Sequence, residues 1–549
     1  MATVPIAEKI FYNGRIYTVN ENREWADAIA ISGNKIIGVE KSRKEIEKHA
    51  SATTEWIDLK GLMMLPGLID AHAHPIWAGF IKSGILLNMY QTVKDIQETV
   101  REYIQNHPHQ QVYFGQGYSE WMFDQNGPQK ELLDEVCPDK PIILLGGGLH
   151  SGWCNSKALE IAGITKDTPD PDPGAQFYRR REDGTPNGSL VEGGPINSVI
   201  DAIQPFDESA VLDSLAKVSE EYTKAGVTAI HDGGSEKNMV ELGRSLLIKL
   251  TSEKRFNQRV KSCEFVNTIS SKAGVVDRIK ESNKKYNSDF FEVNSLKVIM
   301  DGSFEARSAA LLDPYPDGTI IHPLLEGDDL YELFENTASA GFDICIHAIG
   351  DWAARETLLA IKKLRESGYS DCRIAIIHCN YIDDGDFEMF QKYDVMANTT
   401  AIWHHKNVDK ENIIGYERAN KNFLMNRLYN IGVKVTFGSD HPADEYGKEP
   451  LKGIEMGTTR QMYGMPEDPI LPPYSERLTV KKMIEGYTIN AAYQMRMDDK
   501  IGSIEPGKFA DLVVLHENLF EIDPHDIHNV EVAMTIADGR IVYQNKMLE

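Results

Sequence analysis

Histidines, one aspartate and one lysine stand at the ends of apolar runs in this chain, and their spacing suits metal chemistry. The run Leu65-Pro66-Gly67-Leu68-Ile69-Asp70-Ala71 leads into His72-Ala73-His74-Pro75. In an extended strand, side chains at i and i+2 share a face. His72 and His74 can then grip one ion, and imidazole suits zinc or iron. Cys345-Ile346-His347 and Ile376-Ile377-His378 each put a histidine at the end of an apolar run. One histidine in such a place is more often a satisfied core residue; two of them downstream of His-x-His point to ligands. Phe437-Gly438-Ser439-Asp440 ends another run in a carboxylate, placed to bind metal and to act as general base. Lys297, in Ser295-Leu296-Lys297-Val298-Ile299-Met300, falls in a strand expected to be buried. An unpaired buried ammonium is costly. Two readings stay open: a salt bridge at the strand edge, or an amine carboxylated by CO₂ whose anion bridges two metal ions.

These residues lie far apart in sequence, so regular elements must bring them together. Short apolar runs alternate with helix-length segments, the pattern of a parallel sheet or barrel. The runs fall at 63–71, 227–231, 261–266, 296–300, 342–347, 374–378, 395–398 and 433–437. Their number is that of a (β/α)₈ TIM barrel, an α/β fold whose active sites sit where the C-terminal strand ends converge. Helical periodicity at 214–224 and 353–366 suits helices outside such a barrel. The first two runs are separated by a long stretch, at about 76–220, with a Pro/Asp-rich part at 165–189. It reads as an inserted subdomain able to form a lid. Both chain ends carry hairpin signals: Asn13-Gly14, Gly33-Asn34 and Asp538-Gly539 between apolar runs. Residues 1–65 and 495–549 are expected to meet in one small β-sandwich, flanking a barrel over 66–494.

Composition narrows the function classes. The 549 residues are too many for one ordinary domain. A net charge of −25 repels nucleic-acid phosphates and anionic membranes. No basic stripe offsets it, so nucleic acid and membrane are set aside as partners. The six cysteines include no C-x-x-C pair and read as free thiols in a reducing compartment. The N-terminal stretch has no apolar signal region, and no run reaches about 18 apolar residues. A cytoplasmic protein acting on a small molecule is expected, with a homodimer as the base-rate assembly.

The ordered set His-x-His, Lys, His, His, Asp resembles the amidohydrolase superfamily. The finer likeness is to its YtcJ-like group, also called amidohydrolase 3, which includes N-substituted formamide deformylases. LPGLIDAHAHP, HSGWCNSKAL, GVTAIHDGG, LKVIMDGSFEARSAAL, IHAIGD, TFGSDHPA and IGSIEPGKFADLVVL carry it across nearly the whole chain. The resemblance implies one or two divalent metals, zinc first with iron or manganese possible. The ligands implied are His72, His74, His347, His378 and Asp440, with Lys297 at the carboxylated-lysine position. It implies hydrolysis of a non-peptide C–N bond, most readily an amide. Asp440 would shuttle the proton, and His347 or His231 would steady the oxyanion. Near the expected mouth stand His150, Trp153, Glu192, His231, Asp301, Arg307, Asp351, Trp403 and His404 as candidate substrate contacts. Arg307 could pair with a substrate carboxylate, or with Asp301 or Glu305. The chain departs from the pattern at Gly147-Gly148-Leu149, at Cys379-Asn380 and in tandem His404-His405, which puts the substrate in question more than the metal site. A mononuclear deaminase, a decarboxylase or an iron oxygenase on the same fold, and a non-catalytic scaffold, are the alternatives.

Overall fold

Apolar runs that end in chemistry-bearing residues become the strands of one parallel sheet. In the computed structural model, which describes residues 5–88, 91–171, 176–235, 237–444 and 447–545, these strands are β1 (Leu68–Ala73), β2 (Val227–Asp232), β3 (Arg259–Val266), β4 (Phe291–Ile299), β5 (Asp343–Ala348), β6 (Ile374–His378), β7 (Val395–Thr399) and β8 (Val435–Phe437). They lie in chain order in a single eight-stranded sheet, and neighbouring strands pair in parallel. The barrel closes where the segment after β8 meets β1: Ser439 N donates to Asp70 Oδ1 at 2.9 Å and Asp440 N to His72 O at 2.8 Å. The fold is a TIM barrel with mixed α/β content.

The run at 63–71 forms two strands rather than one. Met63–Pro66 pairs with Leu512–Leu515 in a different sheet, and the chain enters the barrel at Leu68. The break falls at Gly67, where a Cβ would meet Thr228 Oγ1 at 2.1 Å; only glycine fits so close an approach.

Both chain ends build two further sheets. One runs Lys35–Glu40, Ala28–Ser32, Lys9–Tyr12, Glu55–Asp58; the other runs Arg540–Gln544, Val532–Ala537, Leu512–Leu515, Met63–Pro66, Arg15–Tyr17, Trp25–Ala26. Phe11, Ile29, Ile31, Met64, Leu512, Val514 and Ile536 share one buried cluster between them. The turns Gly33-Asn34 and Asp538-Gly539 close antiparallel hairpins. Asn13-Gly14 does not: Lys9–Tyr12 and Arg15–Tyr17 belong to different sheets. There the left-handed Asn13 (φ 58°) turns a corner between layers. Arg259 on β3 anchors this region, donating to Asp511 Oδ2 and to Asp538 Oδ1, each at 2.7 Å.

The chain divides into two compact units, Met1–His74, Ser219–Gly234 and Lys254–Glu549 in one, Pro75–Val218 and Ser235–Glu253 in the other. The second holds a six-stranded sheet ordered Phe177–Arg180, Pro186–Val191, Ser151–Cys154, Ile142–Gly146, Tyr113–Tyr118, Ile85–Leu86. Its helix Val93–Asn106 opens with a capping box between Thr92 and Asp95 and lends Ile96 and Val100 to a core shared with Tyr113, Leu144 and Trp153. Part of the Pro/Asp-rich segment, residues 172–175, lies outside the described residues. Among the described residues no helix is long and apolar enough to cross a membrane.

Candidate metal centre

Parallel strands of matched register deliver their last residues to one end of the barrel. His72 is the penultimate residue of β1, and His74 follows one residue beyond the strand. Lys297 lies near the end of β4, and His347 near the end of β5, beside Ile299. His378 ends β6, beside Ala348, and Asp440 follows β8. Asp440 Oδ1 lies 3.2 Å from His72 Nε2 and 3.4 Å from His74 Nε2. Lys297 Nζ lies 3.4 Å from the same His72 nitrogen. The His378 ring sits 5.3 Å from His72 and 4.4 Å from His347, centre to centre. His378 and Asp440 hold φ of 77° and 55°, a left-handed backbone that costs a non-glycine residue about 1 kcal/mol or more and gathers at functional sites.

Burial sets the charges. It pushes the His378 and His72 imidazoles well below the usual histidine range, helped by His347 at His378 and by Lys297 at His72. Burial also lowers the Lys297 ammonium, against the fields of Cys345, Cys263 and Asp440. The Asp440 carboxyl is pushed up by burial, but hydrogen bonds from His72 and His74 outweigh that and hold it well below the usual carboxylate range. His74 moves up, since Asp440 overcomes its desolvation. His72 and His378 are therefore neutral imidazoles beside a carboxylate, the ionisation state that metal ligands need.

The donors fit a divalent cation. One ligand atom each from His72, His378 and Asp440 lies within 4.8 Å of the others. Among the described residues, His72 Nδ1 and His378 Nδ1 are buried with no hydrogen-bond partner, which is unfavourable for a polar atom; on His72 it is the other nitrogen, Nε2, that faces Asp440 and Lys297. His74 is oriented from behind, its Nδ1 2.8 Å from Gly234 O, the support that metal-binding histidines usually have. Asp232 shapes that loop by accepting from Gly234 N at 3.1 Å and from Ser262 Oγ at 2.7 Å.

The remaining candidates divide. His231 is buried beside the set, with Nε2 3.8 Å from Cys345 Sγ, and burial with the Lys297 field lowers it to about 3. Trp403 stacks on His378 at 5.8 Å and donates to Asp444 Oδ2 at 3.2 Å. Asp301 is a support rather than an open contact: its buried oxygens accept from Ala310 N, Ile349 N and Gly350 N at 2.8–3.0 Å. It also lies 3.6 Å from His347 Nε2. Asp351 likewise accepts from Leu312 N at 3.0 Å. Arg307 pairs with neither Asp301 nor Glu305; it is exposed and joined to Asp317. His404 is buried against Thr399 Oγ1 at 3.2 Å and stacks on Phe423 at 4.6 Å. In the second unit, His150 Nδ1 lies 2.8 Å from Glu192 Oε2, both partly exposed. Trp153 is fully buried in that unit's core, its Nε1 donating to Gln129 O at 3.0 Å, so it is a packing residue. Sequence reasoning missed Asp70, Asp232 and Gln494. Asp70 links the ends of β1 and β8, accepting from His72 N and Ser439 N. Gln494 Nε2 donates to Ala71 O at 2.7 Å. A carboxylate two residues before the first ligand and another beside Gly233-Gly234 were the available signals.

Comparison with known proteins agrees with this fold. The sequence profile of the Amidohydrolase family matches residues 55–543. YtcJ of Bacillus subtilis (strain 168) is 28% identical over 97% of this chain and 99% of its own. The N-substituted formamide deformylase of Arthrobacter pascens is 24% identical, covering 97% of each. The fold is shared with an uncharacterized metal-dependent hydrolase of Pyrococcus furiosus, at a TM-score of 0.72 and 22% identity over 94% of this chain and 99% of that one. With the family's profile matched over most of its length and a barrel that gathers the motif residues at one end, the chain belongs to the amidohydrolase family, in its YtcJ-like group.

Proposed function

We propose that the protein is a metal-dependent hydrolase cleaving a non-peptide C–N bond, an amide of a small molecule. The observation that carries this reading is the approach of one ligand atom each from His72, His378 and Asp440 to within 4.8 Å of one another. His72, His74, His347, His378 and Asp440 would hold one or two divalent ions, zinc foremost, with iron or manganese compatible with the same donors. When bound, such an ion supplies water acidified toward pKa about 7 and polarises the scissile carbonyl.

The chain's own residues supply the rest. Asp440, kept ionised by His72 and His74, accepts the proton of the attacking water and hands it to the leaving nitrogen. His231, kept neutral by burial, is a hydrogen-bond donor for the developing oxyanion. Lys297, whose ammonium is disfavoured by burial, offers a neutral amine that adds CO₂ to give a carbamate and one released proton. That anion would be a further ligand for the metal.

Elemental analysis of the purified full chain, followed by amine release from an amide panel that includes N-substituted formamides, tests the reading. About two zinc ions per chain and turnover of at least one amide are expected. Asp440→Asn should keep the far-ultraviolet circular dichroism of the parent and lose at least about 100-fold in kcat. Near-parental turnover in that variant, or no metal after reconstitution, refutes the assignment.

A further inference from the structure

Lys410 is a second buried lysine, and the metal site does not use it. It lies in the helix Val408–Ile414, in the segment after β7, and only 9% of it is exposed. Among the described residues its ammonium is offered no hydrogen-bonding partner. Its close neighbours are aromatic faces, Phe423 at 5.1 Å and Phe304 at 5.8 Å. The adjacent Glu411 is engaged elsewhere, with Lys406 Nζ at 3.3 Å and Asn420 Nδ2 at 3.1 Å. Glu305 reaches it only as a field, and burial pushes the ammonium below the ordinary lysine range. His404 and His405 face it as well, both lowered by burial. Cation–π contact offsets part of the desolvation but supplies no acceptor for the N–H donors.

The place of this lysine in the barrel matters. Phe304 follows β4 and Lys297. Phe423 N donates at 2.9 Å to the carbonyl of Asn380, two residues past His378. Ring contacts continue from Phe423 to His404, and from the adjacent Trp403 to His378. An unpaired cation thus stands in an aromatic frame built on the strand ends that carry the candidate ligands. The sequence offered Arg307 for a substrate carboxylate, but that side chain is exposed and paired with Asp317.

We propose that Lys410 binds a carboxylate of the substrate, so that the preferred substrates are amides bearing a carboxylate, of the N-acyl amino acid class; this rests on the hydrolase reading above. A carboxylate supplies the acceptor that the ammonium lacks, and the flanking rings suit an apolar side chain beside it.

Calorimetric titration of the metal-loaded full chain with matched pairs tests it: N-formylphenylalanine against N-formylphenethylamine, hippurate against N-methylbenzamide, N-acetylleucine against N-acetylisoamylamine. At least one carboxylate should bind about tenfold tighter than its partner, the effect of one hydrogen bond to a charged group. Lys410→Met should bring that ratio to about one and leave the neutral amide unaffected, while Lys410→Arg retains the preference. Should Lys410→Met not fold, protection of Lys410 from acetic anhydride, read by mass spectrometry, must follow the carboxylate and not its neutral partner. No preference in any pair, or a preference that survives in Lys410→Met, overturns the proposal. A carboxylate preference without amine release upholds the anion site and removes the hydrolase reading; amine release without the preference does the reverse.

Discussion

The imidazoles of His72 and His74 are held by what is missing behind them. A Cβ at Gly233 would come within 2.4 Å of His72 Cε1 and 2.7 Å of His74 Cε1, closer than real contacts allow. Gly233→Ala should therefore push both rings off their positions while disturbing little else, since the change adds one methyl group at a loop. The expected result is a loss of more than half of the bound metal and at least about a tenfold fall in turnover, with secondary structure unchanged; elemental analysis and circular dichroism check it. Full metal content in this variant would show that the rings have room to move. At this scale the sequence was legible for the placing of His72, His74, His347, His378 and Asp440 at one end of the barrel, because each stands at or just past an apolar run whose burial is written in its composition. It was not legible for Lys410, Asp301 or Arg307. Their surroundings are set by loops, whose course depends on tertiary contacts rather than on periodicity. Trp153 shows the same limit: an aromatic residue beside a histidine reads as a pocket wall or as core with equal ease, and its burial settled the matter.

Elements were readable in proportion to how far one physical rule fixed them. The barrel strands were recognisable as buried apolar runs, and the Gly33-Asn34 and Asp538-Gly539 hairpins as turn chemistry. Asn13-Gly14 carries the same signal but joins two sheets, because a left-handed turn fixes only the local change of direction and not the partner strand. The run 63–71 misled for a related reason, since a close approach at Gly67 cannot be seen without Thr228. Packing between elements also creates a charge effect invisible in sequence. Glu485, in the helix Val480–Gly486, is pushed up to about 7 by burial and by the fields of Glu21 and Glu24 near the N-terminal strands. Between its ordinary value of 4.5 and about 7 the folded chain keeps a proton that the unfolded chain has released. Stability contributed by this group is therefore complete at low pH and is lost as pH rises through that window. Glu485→Gln removes the dependence. After allowance for solvent screening, the variant should gain about 1 kcal/mol at pH 8 and nothing at pH 4. Thermal melts of both proteins at the two pH values check this, and a difference independent of pH would contradict the assignment.

Across the whole molecule, the residues proposed to hold metal come from β1, β4, β5, β6 and the segment after β8, and all fall in the unit Met1–His74, Ser219–Gly234 and Lys254–Glu549. Several rings there crowd around the Asp440 carboxylate. A ligand that binds only the folded state stabilises it by mass action, by about 2.7 kcal/mol at a hundredfold excess over Kd. Chelation should accordingly lower the melting temperature by about 2 °C or more, and re-addition of zinc should restore it. The change should also be local. Hydrogen exchange followed by mass spectrometry should show lost protection concentrated in peptides that carry His72–His74, His347, His378 and Asp440, because those backbone segments are joined through the proposed site. Asp440 N and His72 O, bonded at 2.8 Å, close the barrel at that point, so loosening of Asp440 reaches the seam between β8 and β1 first. Equal melting temperatures and equal exchange in protein shown by elemental analysis to be metal-free and metal-loaded would mean that these side chains are held by packing alone, and the convergence of histidines at the barrel end would need another explanation.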